Sequence, residues 1–263
     1  MLTVDTGIAR IAALLILAAI LQSCSASRWE VAPPQPVALP SAARLFQALA
    51  QRRNHLRGLR TIARLRYRSA DGVESARHVL AIQRPDRIRI EVLTLMGTVF
   101  AMTASEGQLS AYVPSESAFY HGAANPTNLA RYLPIEISVA SVVDHALSTP
   151  PVYTGGPSSV VRDQDRIQLL QAAADGQQIV WFRDDLTPVS YRHLDHHGSV
   201  MLEADYEEIE RHQGIAVAEK ITLRFPATEQ SLEISMKSPE VNPSFPAAFF
   251  SLAQPGGSNR VDL

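Results

Sequence analysis

Between Asp86 and Thr103 the chain alternates in a way that only an extended strand can use. Ile88, Ile90 and Val92 are interleaved with Arg87, Arg89 and Glu91, the period-2 pattern of a strand with one buried and one wetted face. Thr98 to Thr103 reads as the returning strand. Between the two lies Leu93-Thr94-Leu95-Met96-Gly97, where only Gly97 supplies the backbone freedom of a turn. Leu93, Leu95 and Met96 either fold back onto the core of their own domain or protrude towards a membrane or a lipid-bearing partner.

The same period recurs along the chain. Leu59, Thr61, Ala63, Leu65 and Tyr67 alternate with Arg60, Ile62, Arg64, Arg66 and Arg68, and after Asp71-Gly72 a second strand runs from Val73 to Gln83. Gln108–Val113 and Ser117–Tyr120 continue the meander. From Val160 onward the expected strands are Arg166–Ala172, Gln178–Arg183, Pro188–Asp195, Val200–Glu208, Ile215–Phe225 and Ser231–Met236. Asp175-Gly176, His197-Gly198 and Gln213-Gly214 separate some of them. Short strands joined to their sequence neighbours predict a mainly β fold, a single curled antiparallel sheet, with a few helices added.

Three stretches have helical spacing instead. Ser41–His55 starts at a capping serine, and Pro126–Leu133 opens with proline. Ser138–Leu147 places Val139, Val142, Val143, Ala146 and Leu147 on one face. Pro246–Leu252 reads as a last short helix, and Gln254–Leu263 as frayed. The organisation predicted is a leader over 1–23, a tether over 24–40, one domain over 41–252 and a flexible tail over 253–263.

A chain of 263 residues with 46% hydrophobic content can bury a sizeable core. Its formal net charge of −2 gives no support for binding nucleic acid. Ile11–Leu21 is an unbroken apolar run, too short to span a bilayer comfortably but suited to a signal-peptide core. It ends in Leu21-Gln22-Ser23-Cys24, which resembles a bacterial lipobox, whose cysteine is lipidated. Cys24 is the only cysteine, so the chain forms no intramolecular disulfide. The bland alternative is an apolar anchor with an incidental cysteine. Ser25, in place of the aspartate that retains lipoproteins in the inner membrane, implies by the same resemblance the outer membrane, facing the periplasm. Pro33, Pro34, Pro36 and Pro40 make the following segment a semi-extended tether that reaches roughly 50 Å.

Other constellations have plainer readings. Arg60, Arg64, Arg66, Arg68, Arg77, Arg84, Arg87 and Arg89 fall largely on outward strand faces, either as a solvated surface or as an attraction for anionic headgroups or an acidic carrier. His193, His196, His197 and His212 lie near Asp195, but strand geometry sends His193 and His196 to opposite faces, which argues against a metal site. Asp184-Asp185 suits a turn before Pro188. No nucleophile elbow, zinc-binding helix, P-loop or dinucleotide fingerprint occurs. No catalytic residue and no cofactor is therefore expected.

The layout as a whole resembles the outer-membrane lipoprotein receptor LolB and the wider LolA/LolB fold group. The resemblance rests on the strand–apolar loop–strand unit ending in Leu95-Met96-Gly97-Thr98, then Leu133-Pro134-Ile135, then an amphipathic helix ending at Leu147 before proline. The family's Pro-Leu-Gly loop is Leu95-Met96-Gly97 here, and Ser148 stands where a glycine is usual. The resemblance implies an incomplete β-barrel around an apolar cavity plugged by helices. Acyl chains of membrane lipid or of a lipoprotein would bind there, delivered by a periplasmic LolA-like carrier. Leu93, Leu95, Met96 and Gly97 would form the membrane-contact loop, and Val139, Val142, Val143 and Leu147 the cavity or lid. A second reading keeps the fold but fills its interior, making the protein a tethered periplasmic scaffold or adaptor for another envelope protein.

Overall fold

The computed structural model describes residues 38–95, 97–133, 135–151, 153 and 155–263, with only the backbone of Leu93. The expected leader, Cys24 and most of the expected tether lie outside them, as does Met96. Leu39–Leu263 is a compact unit. It opens with helix α1 (Ala42–His55), where the Ser41 side chain accepts a hydrogen bond from the Arg44 backbone N–H at 3.2 Å and Leu45 and Leu49 turn inward. Arg52, Arg53 and His55 occupy its last turn, where cations oppose the negative end of the helix dipole.

Six strands follow: β1 (Gly58–Ser69), β2 (Gly72–Gln83), β3 (Arg87–Thr94), β4 (Gly97–Ser105), β5 (Gln108–Val113) and β6 (Ala118–Ala123). A single helical turn, α2 (Pro126–Leu129), and helix α3 (Val139–Ala146) interrupt them. The remaining strands are β7 (Ser158–Asp163), β8 (Arg166–Ala173), β9 (Gly176–Phe182), β10 (Pro188–Leu194), β11 (Val200–His212), β12 (Ile215–Phe225), β13 (Gln230–Val241) and β14 (Asn259–Asp262). All fourteen join one sheet in the order β14-β6-β5-β4-β3-β2-β1-β13-β12-β11-β10-β9-β8-β7. Every neighbouring pair is antiparallel except β14 and β6, which run parallel. The two meanders meet where β1 pairs with β13.

Burial follows the period-2 pattern. Along β1 the side chains of Leu59, Thr61, Ala63 and Leu65 are buried, while those of Arg60, Ile62, Arg64 and Arg66 face solvent. One hydrophobic cluster takes Leu59 and Leu65 from β1, Ile90 from β3, Leu169 from β8, Tyr206 from β11 and Ile221 from β12, together with the buried faces of α1 and α3. Helix α3 packs on β2 and β3. It also reaches strands of the other meander: His145 Nδ1 lies 2.7 Å from the Tyr206 hydroxyl on β11, and the Ser148 hydroxyl just beyond the helix accepts the Ala218 N–H of β12 at 3.2 Å.

Four expectations are corrected. Residues 130–133 leave the helix after one turn, in a series of hydrogen-bonded turns through Tyr132 and Leu133 to Leu129. Residues 247–250 form turns and not a helix. The segment after Ala253 is not frayed: Asn259–Asp262 adds β14 to the edge of β6, and the Leu263 N–H donates to the His121 carbonyl at 3.0 Å. Backbone groups at an open sheet edge seek partners whatever the side chains, so a polar tail can become a strand. Arg84 is the fourth. It leaves the outward series because it stands past the end of β2, where the alternation stops, and its side chain is only 11% exposed beside Asp144.

Candidate functional site

The hairpin that joins β3 to β4 carries the most exposed apolar side chain described. Leu95 is fully exposed, at 107% of its reference area. Gly97 has φ +115°, a conformation that L side chains rarely adopt and that lets the chain reverse here. The Thr94 hydroxyl donates to the Gly97 carbonyl at 3.2 Å and ties the turn together. Val99, on the returning strand, is exposed as well. The tip described by Leu95 therefore protrudes.

Beside the root of this hairpin an open cleft of about 240 Å³ enters the inward side of the sheet. Leu65 and Tyr67 of β1, Ile90 of β3, Phe100 of β4 and Leu232 of β13 supply its apolar lining, with Tyr132 and Leu133 from the segment after α2. Phe100 and Tyr132 are in ring contact at 5.8 Å, and Tyr132 meets Tyr120 at 6.0 Å. Glu74, Ser75 and His78 bring polar groups to the same cleft. Partial burial pushes the Tyr132 hydroxyl up to about 12 and moves His78 down, so both are neutral near pH 7. An apolar slot with a few polar groups suits a ligand with a greasy body and a polar end. Tyr67, Phe100 and Tyr132 were not singled out from the sequence. Tyr67 and Phe100 sit on the apolar face of their strands, and that alternation is the signal that could have found them.

Val139, Val142, Val143 and Leu147, expected to line a cavity or lid, are all buried in the packed core. Helix α3 also buries two residues that its apolar stripe concealed. Asp144 binds Arg53 in bidentate fashion, at 2.8 and 3.0 Å, and contacts Arg84 on its other side. Burial draws the Arg84 guanidinium down, opposed by Asp144. His145 is wholly buried, with its ring 5.1 Å from that of Tyr191. Loss of water pushes its pKa down to about 3. Its Nε2 has no hydrogen-bond partner among the described residues, so neutral imidazole is the form the core holds. Burial likewise raises the Tyr206 hydroxyl well above its ordinary range.

The other titratable groups noted in the sequence are dispersed. His193 lies 3.3 Å from Asp175, His212 lies 2.9 Å from Glu219, and the Asp195 carboxylate accepts the His197 and Ser199 N–H groups at 2.8 Å. Asp185 accepts from the Thr187 N–H at 3.0 Å, and Asp184 pairs with Arg162 at 2.7 Å. Among the described residues no three metal-ligating side chains converge. No helix among them is long and apolar enough to cross a membrane.

No known family pattern matches the sequence, and no curated protein matches it. Solved structures do. A DUF1329 family protein from Desulfovibrio piger superposes with a TM-score of 0.54 at 12% identity, covering 80% of this chain and 96% of that one. A LolA superfamily protein from Nitrosomonas europaea gives the same TM-score and identity, covering 78% of this chain and 97% of the other. At such identity the likeness is one of architecture: the chain has a fold similar to those of LolA superfamily and DUF1329 proteins.

Proposed function

We propose that this protein is a lipid-anchored lipoprotein of the outer membrane, facing the periplasm, that takes up acyl chains and acts in lipoprotein reception. In this reading Cys24 carries the lipid, a LolA-like carrier delivers the cargo, and the tip of the β3–β4 hairpin touches the bilayer. The observation that carries it is the pairing of a fully exposed Leu95 with an aromatic-walled apolar cleft at the root of the same hairpin.

The proposed curl of the sheet has a geometric support. Helix α3 spans eight residues, about 12 Å. It packs on β3, and its His145 ring contacts Tyr191 of β10. Those strands stand six places apart in the sheet, about 29 Å if it were flat. That one short helix meets both supports a sheet that wraps round it. The interior beneath α3 is filled, so acyl chains enter at the open cleft. That cleft, at about 240 Å³, is below the usual 300–1,000 Å³ of a ligand pocket. Binding a whole chain therefore requires the Tyr132–Leu133 segment to move outward.

Each methylene buried contributes about 0.8 kcal/mol. Ala76 lines the cleft from an exposed position, and Ala76→Trp fills it. Excluding two methylenes costs about 1.6 kcal/mol, so the variant is expected to bind a fluorescent diacyl lipopeptide more than tenfold more weakly, with an unchanged melting temperature. Equal affinity would remove the cleft from the proposal and favour a scaffold with a filled interior. Leu95→Glu tests the tip. An exposed site leaves stability within about 0.5 kcal/mol, whereas a carboxylate resists entry into lipid. The expected result is normal lipopeptide binding with slowed transfer to liposomes, and Met96→Glu is expected to act alike.

A further inference from the structure

The outward face of β1, β2 and β13 carries more positive charge than the fold uses. Arg64, Arg66 and Arg68 on β1, Arg77 on β2 and Lys237 on β13 are all exposed. Among the described residues none of the five lies within ion-pair distance of a carboxylate. Some surface cations are paired, as with Arg60 and Glu240 at 2.6 Å and Arg192 and Glu203 at 2.7 Å; these five stand unpaired on three adjoining strands. The register sets Arg64 directly opposite Arg77 and gives Arg64 only Ser235 on its other side. Glu233 is the carboxylate opposite Arg66, and its side chain engages Ser235 instead. Like charges facing across a strand pair oppose folding.

Apolar side chains lie among these cations. Ile62, 64% exposed, sits between Val79 and Lys237, and the exposed Val73 stands opposite Arg68. Because β1, β2 and β3 run antiparallel in sequence, the β1–β2 turn and the β3–β4 tip lie at the same end of the sheet, on neighbouring hairpins. Arg66, Arg68 and Val73 thus lie towards the same end of the sheet as Leu95.

We infer that this face is a docking surface for anionic lipid headgroups, which lays the domain against the bilayer beside the point where the tip makes contact. The inference extends the membrane-contact part of the proposed function and rests on it. A lipid surface fits better than an acidic polypeptide because the aliphatic groups are interspersed with the cations and share their end of the sheet with an apolar tip, the pattern of an interfacial element. Each cation near an anionic surface shifts partition by about fivefold.

The test uses the full chain reconstituted in vesicles, with Ile62→Cys as a reporter labelled by a water-soluble maleimide and read by peptide mass spectrometry. Vesicles containing phosphatidylglycerol are expected to slow labelling relative to phosphatidylcholine alone, and high salt to restore it. Adding Arg64→Gln and Arg77→Gln is expected to lower the docked-to-free ratio about 25-fold and abolish the protection. Their melting temperature stays the same or rises, since a repulsion is relieved, and the corresponding lysine pair keeps the protection. Labelling indifferent to anionic lipid, or unaffected by the glutamine pair, overturns the inference. So does protection that appears only when poly-glutamate is added to neutral vesicles, which would assign the face to an acidic polypeptide. Lipopeptide binding measured on the same variants is expected to be normal, so failure of this face and failure of the cleft give different results.

Discussion

Asp144→Asn is expected to destabilise the domain by about 3–5 kcal/mol, the cost of leaving a buried charge without its partner. Asp144 is 8% exposed and Arg84 11%, so neither can swing into water. Asparagine keeps the shape and one acceptor but removes the charge that offsets the desolvation of Arg84. Arg84 cannot shed its proton as a lysine could, and its Nη2 is already buried without a partner among the described residues. Arg53, which binds the same carboxylate from the end of α1, is about one-third exposed. Arg53→Ala should therefore cost far less than Asp144→Asn. Replacing the inner pair together, as Arg84→Met with Asp144→Leu, should recover much of the loss, because two apolar side chains need no mutual compensation. Urea midpoints of the four proteins decide it. A loss below about 1 kcal/mol for Asp144→Asn would mean that water reaches the pair.

The second large effect is on pH dependence. His145 has a folded-state pKa of about 3, below its ordinary 6.5, because protonation would place a charge in the core. The unfolded chain therefore takes up the proton first, and stability falls as pH drops from about 6.5 towards 3. Each pH unit in that window costs up to about 1.4 kcal/mol, so moving from pH 7 to pH 5 should remove roughly 2 kcal/mol. His78, also shifted down by burial, adds a smaller loss of the same sign. The control is His145→Gln, which can still bond the Tyr206 hydroxyl and has nothing to protonate. Its stability should change less between pH 7 and pH 5. Equal slopes for the two proteins would show that the imidazole is not the group that titrates.

What the sequence made legible is what side-chain period dictates. Gln108–Val113 and Ile215–Phe225 occur with those boundaries, since turn residues and alternation agree at both ends. Ser41 caps its helix as expected, and Ser138 caps α3 in the same way. The failures share a cause. Asn-Arg-Val-Asp over 259–262 has no apolar face, and only the unfilled edge of β6 makes it a strand. Arg84 resembles the outward arginines in type, but the strand ends before it. Asp144 and His145, between Val143 and Ala146, were the available clue: an acid and an imidazole on a short apolar helix need buried partners, and one cation had to come inside. The cleft was harder to see, because its wall draws on β1, β2, β3, β4, β13 and the segment after α2, which no local pattern brings together. The apolar loop stood out because it breaks the rule that turns are polar.

The joint between the two meanders has a temporal consequence. Contacts across β1 and β13 link residues 163 to 182 positions apart, as between Tyr67 and Gln230 or Leu59 and Val241. On the proposed route the chain crosses the inner membrane unfolded and N-terminus first, so β1 reaches the periplasm before its partner does. For that interval one side of β1 is an unpaired edge able to template association with other chains. Its unpaired arginines at 64, 66 and 68 repel their counterparts on a second, unfinished copy, so the charge that strains the finished sheet guards the unfinished one. Removing those arginines together should therefore lower the yield of folded protein without lowering the stability of the protein that does fold.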